Sequence, residues 1–264
     1  MERPDASVAP SVFSRCSLPP WALVSREFQE NPWPIEIVGV RQSESRLFAL
    51  LDPCSDAQER GRIFHEYVCE RFLLGQWSEH KGDEAKGHDY LRFLRGWGFD
   101  SNNRSGAVLK AWVESRFGIR ATYHAGRLRD DPTARQKYDD DRMRGEAATM
   151  GITSQLDLLY TFCQYELARR LPGERWLTLY RGTHDPEEYA VRGGGEEGVV
   201  ELNNLSSFTS DREIAWEFGS FVWEARVPIP KVVFFSGLLP RHLLEGEKEH
   251  LVLGGECRVK RLAW

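Results

Sequence analysis

At Trp176 the chain changes texture. Before it, apolar residues recur at helical spacing. After it they come in short runs rich in β-branched and aromatic residues, broken by Gly and Pro. Helices first and strands afterwards favour an α+β fold over an alternating α/β one. The expected layout is a mainly helical N-terminal part followed by a mixed or antiparallel β core. Residues 1–17 form a flexible N-terminus, 18–173 a mainly helical region packed on the core, and 174–264 the strand-rich core.

Within the front, Leu18-Pro19-Pro20-Trp21 and Asn31-Pro32-Trp33-Pro34 read as irregular but packed, because the prolines oppose a helix and the tryptophans want burial. Glu44–Leu51 is a short helix. Asp56 with Glu59 forms a capping-box start to a helix running to about Trp77. Lys81–His88 reads as a loop. Helices follow over Tyr90–Trp97 and over Ala107–Phe117, the latter stopped by Gly118. Gln136–Met150 is charged helix or connector, and its Asp139-Asp140-Asp141 run faces solvent. Gln155–Arg170 is the clearest helix, with Leu156, Leu159, Tyr160, Cys163 and Leu167 on one face. After Trp176 the expected strands are Leu177–Arg181, Val199–Leu202, Phe221–Val227, Val232–Ser236, Glu249–Leu253 and Arg258–Leu262. One helix, Asp211–Phe218, lies among them.

The 264 residues carry a net charge of −5, which argues against a dedicated nucleic-acid binder. Five cysteines without a CxxC pair point to buried, reduced thiols rather than a disulfide framework. No apolar run reaches the ~18–20 residues a membrane span needs, and no leader-like segment is evident, so the expected location is the bacterial cytoplasm. Two motifs are decoys. Gly193–Gly198 satisfies GxGxxG but precedes a strand signal, whereas a dinucleotide fingerprint opens a helix. His65-Glu66-x-x-Cys69 approaches a metal motif without further ligands. No metal is expected.

Three short pieces of the last third carry chemistry. Leu177-Thr178-Leu179-Tyr180-Arg181-Gly182-Thr183 delivers an arginine at a strand end. Ser206-Ser207-Phe208-Thr209-Ser210 precedes a helix. Glu245-Gly246-Glu247-Lys248-Glu249 leads into a strand. Alone, each has an ordinary explanation as surface charge, helix cap or solvated loop. In this order the three resemble the arginine–serine–glutamate class of mono-ADP-ribosyltransferases. A guanidinium can clamp phosphate oxygens with two parallel hydrogen bonds, which suits Arg181 to the pyrophosphate of NAD. Breaking the nicotinamide–ribose bond builds positive charge on the sugar, and a fixed carboxylate opposes it.

The resemblance makes Glu249, the second glutamate of the pair, the catalytic one, and gives Glu247 the arginine acceptor. If the segment is extended, residues i and i+2 share a side, so Glu247 would lie beside Glu249. Ser207 would hold the glutamate and the nicotinamide ribose, with Ser206 and Ser210 as alternative registers, and Thr209 would support the turn. NAD would rest against Arg181, Gly182, Thr183, Ser207, Phe208 and Thr209. Phe208 replaces a smaller residue in the wider class and should face away from the site.

Longer strings narrow the resemblance. Among them are Tyr90-Leu91-Arg92-Phe93-Leu94-Arg95-Gly96-Trp97-Gly98 and Gly173-Glu174-Arg175-Trp176 continuing to His184. They are similar to the dinitrogenase reductase ADP-ribosyltransferase family of nitrogen-fixing bacteria, over nearly everything from Leu18 onward. That resemblance implies NAD as donor, an arginine of the nitrogenase iron protein as acceptor, and reversible inactivation of nitrogen fixation. It also implies a PII-type signalling protein as regulator. The alternatives are an NAD glycohydrolase and a catalytically silent binding module with the same fold.

Overall fold

The computed structural model describes residues 15–74, 89–147, 151–184, 189–192, 197–240 and 248–262. The helices come first: α1 (Pro20–Leu23), α2 (Arg26–Glu30), α3 (Val40–Ser43), α4 (Ser45–Leu51), α5 (Ala57–Arg71), α6 (Tyr90–Phe99), α7 (Arg104–Phe117), α8 (Pro132–Ala147) and α9 (Ile152–Arg170). Then follow β1 (Trp176–Thr183), β2 (Ala190–Arg192), β3 (Glu197–Thr209), α10 (Arg212–Glu217), β4 (Phe221–Pro228), β5 (Val232–Phe235) and β6 (Glu249–Leu262). The fold is α+β.

Local chemistry sets the helix ends. Asp56, Asp89, Asn103 and Asp211 each cap a helix by accepting a backbone N–H of its first turn. Gly118, at φ 69°, closes α7. The helix from Asp56 stops at Arg71, short of Trp77, because Leu73 takes a left-handed backbone at φ 54°. The rest of that expected helix, and the expected loop 81–88, lie outside the described residues. Three other expectations fail. Pro20 occupies the first turn of a helix, where its missing N–H costs nothing, so α1 forms in spite of the prolines. Trp21 and Trp33 are 65% and 68% exposed. Cys16 is buried and bridged to Ile37, so packing begins inside the stretch expected to be loose.

The strands form a six-stranded sheet in the order β2-β3-β1-β4-β6-β5, with every pairing antiparallel. A second pairing, β3 with β6, closes β3, β1, β4 and β6 into a ring. Two strands are longer than expected. β3 runs on to Thr209, and the two predicted pieces 249–253 and 258–262 are one strand, β6. Their register slips between Leu202 and Leu205, leaving Asn203 and Asn204 in a bulge opposite Gly254. A Cβ on Gly254 would lie 1.7 Å from the Asn203 carbonyl oxygen, so only glycine fits.

The bulge fastens the helical part to the sheet. Asn203 Oδ1 accepts from the Thr122 N–H at 2.9 Å, and its Nδ2 donates to the Tyr123 carbonyl at 2.8 Å. Asn204 Nδ2 donates to the carbonyls of Lys110 and Ile119. One apolar cluster runs through both parts, joining Phe64, Val68, Leu156 and Phe162 to Val232, Phe235 and Leu251. Inside it, Glu166 accepts from both Arg60 and Arg170. Asp157 likewise accepts from Arg116 and Trp112. Buried charges are tolerated only with such pairing, because an unpaired one carries its full desolvation penalty.

Candidate active site

Arg181 stands near the end of β1, held from two sides. Its Nε donates to the Tyr189 hydroxyl, and its Nη1 donates to the Ser207 carbonyl at 2.6 Å. Tyr189 is itself buried, edge-on to Trp223. The strand end is fixed by close backbone contact. A Cβ on Gly182 would sit 1.9 Å from the Ala215 carbonyl oxygen, so α10 can approach β1 only because residue 182 has no side chain. Thr183 is buried beneath this junction, with Gly219 packed on its backbone.

The serine and glutamate meet across the β3–β6 ladder. Thr209 is paired with Glu249 and Ser207 with Leu251, which puts these four on one face of the sheet and Phe208 and His250 on the other. Ser207 Oγ donates to Glu249 Oε1 at 2.7 Å. Ser236 clamps the glutamate backbone: its Oγ accepts from the Glu249 N–H at 2.9 Å, and its own N–H donates to the Glu249 carbonyl at 2.7 Å. On the reverse face Phe208 is buried in the core, and His250 stacks on Phe235 with burial lowering its pKa. Thr209 Oγ1 accepts from the Asp211 N–H at 3.1 Å, bracing the start of α10. Lys248 pairs with Asp211 at 2.7 Å across the same turn.

Of the three serines, Ser207 is therefore the one bonded to Glu249. Ser206 is buried with its Oγ 3.4 Å from the Asn203 carbonyl, and Ser210 is an exposed residue whose N–H reaches the Lys248 carbonyl. Glu247 lies outside the described residues. The alternation expected to place it beside Glu249 does not hold at Lys248, whose φ of 49° breaks the extended backbone between them.

Three residues at this site were missed by sequence reasoning: Tyr189, Ser236 and Trp97. Trp97 comes from α6, and its Nε1 donates to Ser207 Oγ at 2.7 Å. It read only as the last residue of an expected helix, and nothing local marks the indole as a donor to a strand 110 residues away. Ser236 read as the end of a strand, and Tyr189 stands before β2 with no pattern to single it out.

The decoys resolve as ordinary structure. His65 Nε2 lies 3.6 Å from Cys69 Sγ, while Nδ1 meets the Tyr90 hydroxyl at 3.1 Å. Among the described residues no group of three or more His, Cys, Asp or Glu could hold a metal ion. Asp141 is not simply solvated, as expected, but accepts from Lys137 and buried His124. Residues 193–196 of the glycine run lie outside the described residues, and the run leads into β3, not a helix. The five cysteines are free, with Cys54 and Cys69 only partly buried. No described helix is long and apolar enough to cross a membrane. A groove of about 700 Å³ opens between the 32–37 segment, α9 and Pro230, and its lining includes none of Arg181, Ser207 and Glu249. Volume alone is a poorer guide here than the convergence of a guanidinium, a hydroxyl and a carboxylate from three separate strands.

Comparison with known proteins finds matches over nearly the whole chain. The family model described as dinitrogenase reductase ADP-ribosyltransferase matches residues 13–261. The chain is 42% identical over 253 residues to the NAD(+)–dinitrogen-reductase ADP-D-ribosyltransferase of Rhodospirillum rubrum, covering 92% of each chain. No solved structure matches.

Proposed function

The chain belongs to the dinitrogenase reductase ADP-ribosyltransferase family, and on that premise we propose that Arg181, Ser207 and Glu249 form its NAD site. The protein is an ADP-ribosyltransferase with NAD as donor. The observation that carries the site is the continuous chain Arg181–Ser207–Glu249. The arginine is bonded to the carbonyl of Ser207, and the hydroxyl of the same residue is bonded to the carboxylate. One residue thereby spaces the cation from the anion.

A dinucleotide with a pyrophosphate at one end of its reach and a ribose at the other suits that spacing. Arg181, its plane fixed by Tyr189 and the Ser207 carbonyl, clamps the pyrophosphate oxygens. Glu249, with one oxygen held by Ser207, faces the nicotinamide ribose and opposes the positive charge that grows as the glycosidic bond breaks. Nicotinamide leaves with the bonding electron pair, and the acceptor nitrogen attacks the sugar carbon while giving up a proton. Glu247 is assigned to pairing with the acceptor guanidinium. Gly182, Thr183, Phe208 and Thr209 shape the walls through backbone position rather than through their side chains, since Thr183, Phe208 and Thr209 are buried.

The acceptor is an arginine of the nitrogenase iron protein, and its modification inactivates nitrogen fixation. A PII-type signalling protein is the proposed regulator. The curated relative's name supports the iron protein as substrate. The test is incubation of the protein with NAD and purified iron protein, followed by peptide mass spectrometry. ADP-ribose on an iron-protein arginine supports the reading. Nicotinamide release into water at the same rate with and without iron protein replaces it with an NAD glycohydrolase.

A further inference from the structure

The Ser207 hydroxyl carries one proton, and its neighbours determine where that proton points. The indole Nε1 of Trp97 only donates, and it lies 2.7 Å from Ser207 Oγ. An ionised Glu249 only accepts, and its Oε1 lies 2.7 Å from the same oxygen. The hydroxyl must therefore take the indole proton on a lone pair and give its own to the carboxylate. Trp97 is 3% exposed, so water does not compete for this bond.

The rest of α6 holds the indole where it is needed. The Gly96 carbonyl accepts from Asn103 Nδ2 at 2.6 Å, and Gly96 lies so close to Ser105 that an added Cβ would be 2.3 Å from its Oγ. The Lys110 ammonium of α7 sits 5.8 Å from the Trp97 ring centroid. A Cβ on Gly98 would come 3.8 Å from Glu249 Oε2, so the end of the helix lies directly against the carboxylate. α6 is thus docked on α7 at one side and on the glutamate at the other.

We propose that Trp97 is a positioning residue for the transfer reaction, acting through Ser207 to fix the orientation of Glu249. This rests on the site reading above. It makes α6 the link by which the helical part acts on the reacting centre. The indole adds a second bond to a hydroxyl that would otherwise rotate, so the hydroxyl stays aimed at the carboxylate.

The test measures nicotinamide release from NAD for wild type, Trp97→Phe, Ser207→Ala, the double variant and Glu249→Gln, together with the indole N–H resonances of the wild type, Trp97→Phe and Ser207→Ala. Phenylalanine keeps an aromatic ring in the core but removes the donor together with part of the indole's buried volume, and the double variant separates the two effects. The expected result is a kcat lowered about three- to tenfold in Trp97→Phe, the range for losing one neutral hydrogen bond, with KM for NAD changed less than about twofold. In the Ser207→Ala background the same substitution changes nothing further. The Trp97 indole resonance, assigned by its absence in Trp97→Phe, shifts in Ser207→Ala. Independent, multiplying losses in the double variant, or an indole resonance unmoved by Ser207→Ala, would overturn the role of Trp97 alone. Rates untouched by Ser207→Ala and Glu249→Gln would instead overturn the site assignment itself.

Discussion

Arg181 has two of its nitrogens committed inside the protein, to the Tyr189 hydroxyl and the Ser207 carbonyl. A lysine would fill the same space with a single point charge and could not hold a plane. Arg181→Lys is therefore expected to raise KM for NAD about 10- to 100-fold, in line with a lost charge-assisted bond of roughly 1.5–3 kcal/mol. Steady-state kinetics with a folded variant measures this, and an unchanged KM would remove the clamp role. That Arg181, Ser207 and Glu249 come together was legible in the sequence, because side-chain types in a fixed order survive any uncertainty about pairing. Trp97, Tyr189 and Ser236 were not, since each is defined by a partner brought close only by the fold. The position of Glu247 was argued from strand alternation, and the left-handed backbone at Lys248 removes that argument.

The same division holds for the elements. Helix starts were legible where a capping side chain is present, as at Asp56, because the cap and its N–H are neighbours in sequence. Strand lengths were not. The Asn203–Asn204 and Gly254–Gly255 pairs look like breaks, yet they face each other in a bulge that continues both strands, and only the long-range ladder shows it. Trp21 and Trp33 were expected inside and lie outside, since hydrophobicity alone does not decide which face of a short proline-bounded segment turns inward. At this scale the most exacting contact is Gly182 under α10. Gly182→Ala places a methyl 1.9 Å from the Ala215 carbonyl oxygen, so either β1 or α10 must move. The expected cost is about 1–3 kcal/mol in urea unfolding, accompanied by loss of activity because Arg181 is the adjacent residue. Wild-type stability and activity in this variant would show the junction to be looser than its geometry.

Among the described residues the main apolar core is shared by helices and strands, and a smaller cluster gathers around Tyr138. Cys163 and Gln164 of α9 both donate to the Val232 carbonyl, and Tyr160 donates to that of Pro230. Residues 174–264 expressed alone are accordingly expected to be insoluble or unfolded by circular dichroism. Sensitivity to acid is expected from one buried histidine. His124 is buried between α7 and α8, accepting from the Lys110 ammonium at Nδ1 and donating from Nε2 to Asp141. Burial first, and the Lys110 charge second, lower its pKa from 6.5 to about 4. The folded state thus binds fewer protons than the unfolded one between those values. The stability contributed by neutral His124 is complete above pH 6.5 and is lost as pH falls toward 4, to the extent of up to about 3 kcal/mol. His124→Gln should flatten this part of the stability–pH curve relative to wild type, and an unchanged slope in urea titrations would contradict it.

In the proposed site Glu249, oriented by Ser207, drives cleavage of the nicotinamide–ribose bond. The direct measurement is nicotinamide release at saturating NAD by wild type and by Glu249→Gln, with NAD affinity determined in parallel by calorimetry. The account predicts a rate lowered on the order of 100- to 1,000-fold with NAD binding and thermal unfolding close to wild type. A Glu249→Gln protein that releases nicotinamide at the wild-type rate would contradict it.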